Sequence, residues 1–228
     1  RQVQIGRPVL SPPGEARQDW ALIQDIARRL GLDWDYTGPP EIYAEMARLM
    51  PSLRNIPWER LEREDSVTYP VAEPGGAGQE ILFGQRFPTQ SGRARIVPTQ
   101  LRAPDETPDS DFPLVLTTGR LLEHWHTGAM TRRAATLDAL EPEAVACLHP
   151  LELQRLGVAA GQKLRVTTRR GAITLTARAD RDVAEGMVFI PFAFAEAPAN
   201  ILTNPQLDPF GKIPEFKYAA ARVEPAPA

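Results

Sequence analysis

Twenty-three prolines distributed along 228 residues constrain this chain more than any other feature. Each fixes its own φ near about −65° and removes a backbone donor, so long uninterrupted helices are excluded and the chain must turn often through extended connections. A helical bundle is therefore ruled out. What remains is a set of short helices and strands joined by fixed turns. With 43% hydrophobic residues there is enough apolar material to give them a core.

The net charge of −3 and the pI near 5.7 give no general attraction for nucleic acid or an anionic membrane, so positive charge must act locally. The single cysteine, Cys147, excludes an intrachain disulfide and a cysteine-rich cluster. Its neighbours Ala144, Val145, Ala146 and Leu148 make it an inert core thiol. No charged leader with an apolar stretch and no long uncharged span is present, so neither a signal peptide nor a membrane helix is expected, and the cytoplasm is the default. The chain opens on Arg1 rather than Met, which suggests a piece of a longer polypeptide.

Periodicity divides the chain. Between residues 15 and 31, Trp20, Ile23, Ile26, Ala27 and Leu30 recur at helical spacing as an inward face, with Gly31 as the stop. A second helix follows Pro39-Pro40 and stops before Pro51, and Trp58 and Leu61 predict a short third one. Over residues 67–98, the apolar runs 81–83 and 94–97 predict paired strands. The run Gly75 to Gly78 lacks both the Gly-Lys-Ser/Thr ending and the G-x-G-x-x-G spacing of phosphate loops, and reads as a turn. Residues 103–111 are acidic, contain proline and lack periodicity, which predicts a linker at the domain boundary. Beyond it strand signals dominate: residues 112–117, a hairpin of 163–168 with 172–177 around Arg169-Arg170-Gly171, and 187–192. One helix follows His149-Pro150 and ends at Gly157.

Residues 117–133 concentrate turn formers, hydroxyls, two histidines, a tryptophan and three arginines at a strand end. Gly119 allows close backbone approach to a ligand, Arg120 suits a two-pronged phosphate contact, and His124, Trp125 and His126 offer stacking to a flat heterocycle. The competing interpretation is a strand-to-loop corner with Trp125 buried and its histidines satisfied in the core. A metal site at His124 and His126 would need further ligands from His149, Cys147 or a carboxylate. Farther on, Phe192 offers an aromatic wall and Asn200 an amide able to read a base edge, unless this is only a strand followed by an Asx turn.

Taken together, Thr118-Gly119-Arg120-Leu121-Leu122-Glu123-His124-Trp125-His126-Thr127-Gly128, Ala146-Cys147-Leu148-His149-Pro150 through Leu156-Gly157-Val158 and Gly161, Ala199-Asn200, and Glu215-Phe216-Lys217 resemble the C-terminal molybdopterin dinucleotide-binding domain of the DMSO reductase superfamily. Within it the chain most resembles formate dehydrogenase alpha subunits of the soluble NAD-dependent type. Met130-Thr131-Arg132-Arg133 and residues 208–217 favour formate over nitrate.

The resemblance implies an α+β chain: a six-stranded double-psi β-barrel over residues 106–228, preceded by a helical and irregular tail, residues 1–105, of the larger molybdopterin oxidoreductase region. It implies that Thr118, Gly119, Arg120, Glu123, His124, Trp125, His126, Thr127, Phe192, Asn200 and Lys217 contact a bis-molybdopterin guanine dinucleotide carrying molybdenum or tungsten. The implied reaction is two-electron oxidation of formate to CO2. No residue here matches the metal-binding cysteine or selenocysteine, or the His and Arg that handle formate, so this chain supplies no catalytic residue and no metal ligand, and alone it should have no dehydrogenase activity. Iron–sulfur clusters belong to parts outside it. The implied partners are the rest of the alpha subunit and iron–sulfur/flavin NAD-reducing subunits, with no nucleic acid and no membrane. The alternatives are the same portion of a molybdenum nitrate reductase and, in another class, a cofactor-free double-psi barrel that binds a protein or peptide.

Overall fold

A computed structural model describes residues 1–227 and separates into two compact units, Arg1–Pro98 and Thr99–Ala228. In the first unit, β1 (Gln2–Gln4) pairs antiparallel with β2 (Ser66–Thr68), and between them run α1 (Asp19–Arg29), α2 (Pro39–Leu49), a single 3-10 turn (Pro51–Leu53) and α3 (Trp58–Glu64). The three expected helices are present, and Pro39-Pro40 occupies the first turn of α2, where a missing N–H costs nothing. Tyr43, Leu53, Ile56, Leu61, Val67 and Val71 form the core of this unit. The buried Tyr43 hydroxyl donates to the Ile56 carbonyl at 2.7 Å, which removes the penalty of burying it.

Two sequence expectations for this unit fail, the first in part. The expected apolar face of α1 turns inward only in part: Ala27 is buried and Trp20 half-buried, but Ile23, Ile26 and Leu30 are exposed, and Gln24 is buried in their place. The reason is polar satisfaction. The Gln24 side chain pairs in both directions with the backbone of Tyr36, accepting its N–H at 2.7 Å and donating to its carbonyl at 3.1 Å, and this contact fixes the rotation of the helix. Residues 81–83 and 94–97 form no strands, and Ile96 is 93% exposed. Gly84, Gly92 and Pro98 bound these runs and neither faces a partner strand among the described residues, so between residues 69 and 98 only the isolated bridge Val71↔Gly78 forms.

In the second unit six strands close into a barrel: β3 (Leu114–Gly119), β4 (Val145–Leu148), β5 (Lys163–Thr167), β6 (Ala172–Ala179), β7 (Met187–Pro191) and β8 (Ala219–Pro225), in spatial order β3-β7-β4-β6-β5-β8. The pairs β3–β7 and β4–β6 are parallel and the remaining neighbours antiparallel. Strand alternation explains the closure. Leu114 and Leu116, Leu164 and Val166, Ile173 and Leu175, and Val188 and Ile190 point inward at every second position, while Lys163 and Arg165 point out. Each such side chain contributes roughly 1.5–3 kcal/mol of burial free energy.

Two helices accompany the barrel, α4 (Ala135–Leu140) and α5 (Pro150–Leu156). The His149 ring caps α5 by accepting the Leu151 N–H at 3.2 Å, and Gly157 ends it with φ at +66°. No helix among the described residues is long and apolar enough to cross a membrane.

The acidic stretch 103–111 is not a free linker. Ala220 lies on β8 just beyond its last pairing with β5, Thr167↔Arg222, so its N–H lacks a strand partner there, and Glu106 supplies one at 2.7 Å. The same carboxylate grips the Arg170 guanidinium with both oxygens and lies 3.2 Å from Arg169, which also pairs with Asp109. Burial pushes the Glu106 carboxyl upward. The hydrogen bonds from Arg170 and Ala220 and the two arginine charges outweigh this and hold its pKa below the ordinary value.

Candidate functional site

The parallel strands β3 and β7 finish side by side, Gly119 paired with Pro191, and the segments leaving them meet at this end of the barrel. The Gly119 carbonyl accepts the Phe192 N–H at 3.1 Å. Buried Thr118 donates its hydroxyl to the Phe216 carbonyl at 2.8 Å, and Lys217 Nζ donates to the Thr118 carbonyl at 3.1 Å. The chain before β8 is therefore tied to the end of β3. The Arg120 guanidinium lies 5.8 Å from the centre of the Phe192 ring, and the His126 ring lies 5.4 Å from the same ring. Six of the expected residues, Thr118, Gly119, Arg120, His126, Phe192 and Lys217, are thus joined by direct contacts. Trp125 adjoins His126, with ring centres 6.4 Å apart.

Of the strand-to-loop corner expected for residues 117–133, with Trp125 buried and the histidines satisfied, only the His124 part holds. Trp125 is 64% exposed and presents its indole outward, whereas His124 is 1% exposed. Both His124 ring nitrogens have protein partners, Glu141 O at 2.7 Å and Thr131 Oγ1 at 3.3 Å, and the ring stands edge-on to Phe194. The His124 side chain therefore supports the loop from beneath and presents nothing to its outer surface. It is also unavailable as a metal ligand, and no group of three or more His, Cys, Asp or Glu side chains suited to a metal exists among the described residues.

Glu123 is half-buried and makes no hydrogen bond among the described residues. Its charge adds weakly to that of Glu141, whose hydrogen bonds are the main cause of the raised Arg178 pKa. Thr127 is exposed in the turn. Asn200 lies exposed on the short 3-10 turn Ala199–Ile201, its backbone carbonyl taken by the Thr203 hydroxyl at 3.0 Å and its side-chain amide without a partner among the described residues. Among the described residues no side-chain hydrogen bond, ion pair or ring contact joins Glu123, Thr127 or Asn200 to the other six.

Backbone conformation shapes the loop. His126 and Gly128 have φ of +52° and +74°, and the Gly128 N–H returns to the Trp125 carbonyl at 2.9 Å, which closes a tight turn with Trp125 and His126 on its outer side. A side chain at position 128 would meet the Ala193 carbonyl at 2.5 Å, so glycine is required there both by conformation and by space.

Several residues that hold this loop were not expected from the sequence. Arg132 donates to Asp138 and Glu196, each at 2.7 Å, and packs 4.7 Å over Phe194, so it rivets the loop to α4 and to the segment after β7. Donating hydrogen bonds to Asp138 and then to Glu196 raises its pKa further. Thr131 and Glu141 complete the support. Apart from the Thr-Arg-Arg run at the end of the loop, nothing in the sequence singles out these partners, because they are brought together by the barrel.

An anionic ligand with a flat ring fits this end of the barrel. Arg120 makes no ion pair or hydrogen bond, and Lys217 has no carboxylate partner, among the described residues. Both cations flank exposed aromatic surface at a point where the backbone turns sharply. That donor set suits phosphate groups attached to heterocycles.

Comparison with known proteins agrees with the fold. Residues 114–220 match the family model of the "Molydopterin dinucleotide binding domain", that is, molybdopterin. Over 98% of its length the chain is 39% identical to the F420-dependent formate dehydrogenase subunit alpha of Methanocaldococcus jannaschii, covering 33% of that protein. Over 93% of its length it is 32% identical to the assimilatory nitrate reductase catalytic subunit of Bacillus subtilis, covering 31% of it. The chain thus spans about a third of the length of the curated relatives it matches. Acetylene hydratase from Pelobacter acetylenicus superposes on 99% of the chain with a TM-score of 0.71 at 22% identity, a likeness of fold covering 35% of that structure. The closed six-stranded barrel is a double-psi barrel, residues 114–220 match the molybdopterin dinucleotide-binding domain, and nearly the whole chain is similar to proteins named formate dehydrogenase subunit alpha.

Proposed function

We propose that this chain is the cofactor-binding C-terminal portion of a formate dehydrogenase alpha subunit, holding a molybdopterin guanine dinucleotide at the joined ends of β3 and β7. One observation carries the proposal: the family match over residues 114–220 coincides with the convergence of Arg120, Lys217, His126 and Phe192 at one barrel end. Arg120 and Lys217 would neutralise the diphosphate, Phe192 and His126 would wall the flat rings, and Trp125 would extend that wall. Thr118 and Gly119 would fix the strand end, His124 would support the loop, and Glu123, Thr127 and Asn200 would offer polar contacts at the periphery. When bound, the cofactor supplies two-electron redox chemistry at molybdenum or tungsten; the residues here bind and orient it, and any metal ligand lies elsewhere in the subunit.

Residues 1–105 would complete the larger oxidoreductase region, and the partners would be the rest of the alpha subunit and the subunits that carry electrons away. The sequence leads to NAD as the final acceptor, whereas the first curated relatives are named F420-dependent. No residue of this chain is assigned to contact with the acceptor, so assays of the assembled enzyme with NAD and F420 in parallel decide between them. A nitrate reductase remains a second reading, favoured by the Bacillus subtilis relative and decided by the substrate that the intact enzyme turns over.

The proposal is tested by Arg120→Ala in the intact enzyme. Guanine nucleotide released per chain on denaturation should fall several-fold with the thermal midpoint unchanged. Wild-type occupancy would refute the assignment of Arg120.

A further inference from the structure

The loop from Arg120 to Met130 contains no helix or strand, yet its residues alternate sharply in direction: His124 is buried, Trp125 exposed, and His126 left-handed. Such a backbone needs a fixed point from which its polar groups are satisfied. One side chain provides it. Thr131 Oγ1 accepts the Trp125 N–H at 3.0 Å and lies 3.3 Å from His124 Nδ1.

The direction of the second bond follows from the other side of the imidazole. Nε2 is 2.7 Å from the Glu141 carbonyl, which can only accept, so Nε2 carries the proton. In the neutral ring Nδ1 is then an acceptor, and the Thr131 hydroxyl donates to it. The hydroxyl is thus used twice, accepting from residue 125 and donating to residue 124. Valine has its shape and neither capacity. Thr131 is itself immobilised, because it opens the 3-10 turn Thr131–Arg133, whose second residue is pinned to Asp138 and Glu196.

We infer that Thr131 is a positioning residue of the cofactor site: its hydroxyl turns His124 inward and Trp125 outward and so sets the turn that brings His126 against Phe192, without touching the ligand. This rests on the cofactor site proposed above. Thr131 acts on that site only through the backbone of its loop.

The test uses the intact subunit with Thr131→Val, Thr131→Ser and, as reference, Arg120→Ala. Amide hydrogen exchange across Trp125, guanine nucleotide retained per chain, and the thermal midpoint are measured for each. Thr131→Val should exchange at Trp125 at least tenfold faster and retain severalfold less nucleotide, with the midpoint within a few degrees of wild type. Thr131→Ser should restore both. Wild-type retention by Thr131→Val alongside loss in Arg120→Ala overturns the positioning role and leaves the site standing. Wild-type retention in both overturns the site itself. If Thr131→Val does not accumulate, Thr131→Ser and Thr131→Cys are compared, since a thiol is a poor acceptor. Retention by serine and loss by cysteine is then expected, and equal retention overturns the role.

Discussion

Replacing Glu106 by alanine removes one carboxylate from three partners at once. The Ala220 N–H, donated to it at 2.7 Å, loses its acceptor at the end of β8, at a cost of about 1–3 kcal/mol for an unsatisfied buried donor. Arg170 loses its two-pronged partner. Its side chain is only 22% exposed and that of Glu106 14%, but Arg170 keeps the Leu202 carbonyl at 2.9 Å and some solvent, so about 2 kcal/mol applies rather than the full 3–5 of an isolated buried pair. Arg169 retains Asp109 and is 38% exposed, which makes its share at most about 0.5 kcal/mol. The total is about 3–5 kcal/mol.

Glu106→Gln keeps one carbonyl oxygen, which can still accept from Ala220 and from one Arg170 N–H, but it loses the charge and sets an NH2 donor against the other Arg170 N–H, so about 1–3 kcal/mol is expected. Because the folded-state pKa of Glu106 lies below its unfolded value, its ionic contribution is fully present above the unfolded pKa and is lost as pH falls through the folded one. The gap between wild type and Glu106→Gln should therefore start to narrow as pH falls past the ordinary glutamate value, about 4.3, and close only below the lower folded-state value. Urea unfolding followed by circular dichroism, with amide exchange at Ala220 alongside, measures all three proteins. A loss under about 1 kcal/mol for alanine, or equal losses for alanine and glutamine, would refute the account of residues 103–111 as a strap closing the barrel.

Gly128→Ala should disorder the loop, because it forces an L side chain into a left-handed turn, costing about 1–2 kcal/mol, and against the Ala193 carbonyl; proteolysis near Trp125 reports it, and an unchanged cleavage rate would count against the geometry. Gly119→Ala places a methyl 2.5 Å from the Phe189 ring and should cost about 1–3 kcal/mol, read as a lower urea midpoint; no shift would mean that the ring yields freely. Burial pushes the Cys147 thiol up to about 11, so iodoacetamide at neutral pH should label it only after unfolding, and rapid labelling of the folded chain would contradict its place in the wall of the barrel.

Four of the six barrel strands were legible, β5 and β6 because apolar and polar residues alternate along them and β3 and β7 because their short apolar runs are bounded by turn formers. β4 and β8 were not. Val145, Ala146, Cys147 and Leu148 are all buried and show no alternation, and β8 begins Ala219-Ala220-Ala221, where small side chains carry no period. The closed barrel was therefore expected only through the family resemblance. In the site, Arg120, His126, Phe192 and Lys217 could be named by chemistry and motif. That His124 would turn inward while its neighbour turned out could not, since the decision rests with Thr131, Glu141 and Phe194, residues 7 to 70 positions away. The inward face assigned to α1 went partly wrong for a similar reason, because Gln24 found a backbone partner in Tyr36 that periodicity does not register.

The most direct test is the structure of the intact subunit purified with its native cofactor. The dinucleotide phosphates should lie within hydrogen-bonding distance of Arg120 and Lys217, with a flat ring against Phe192 or His126. A cofactor bound elsewhere, with this end of the barrel open to solvent or covered by a peptide, would contradict it.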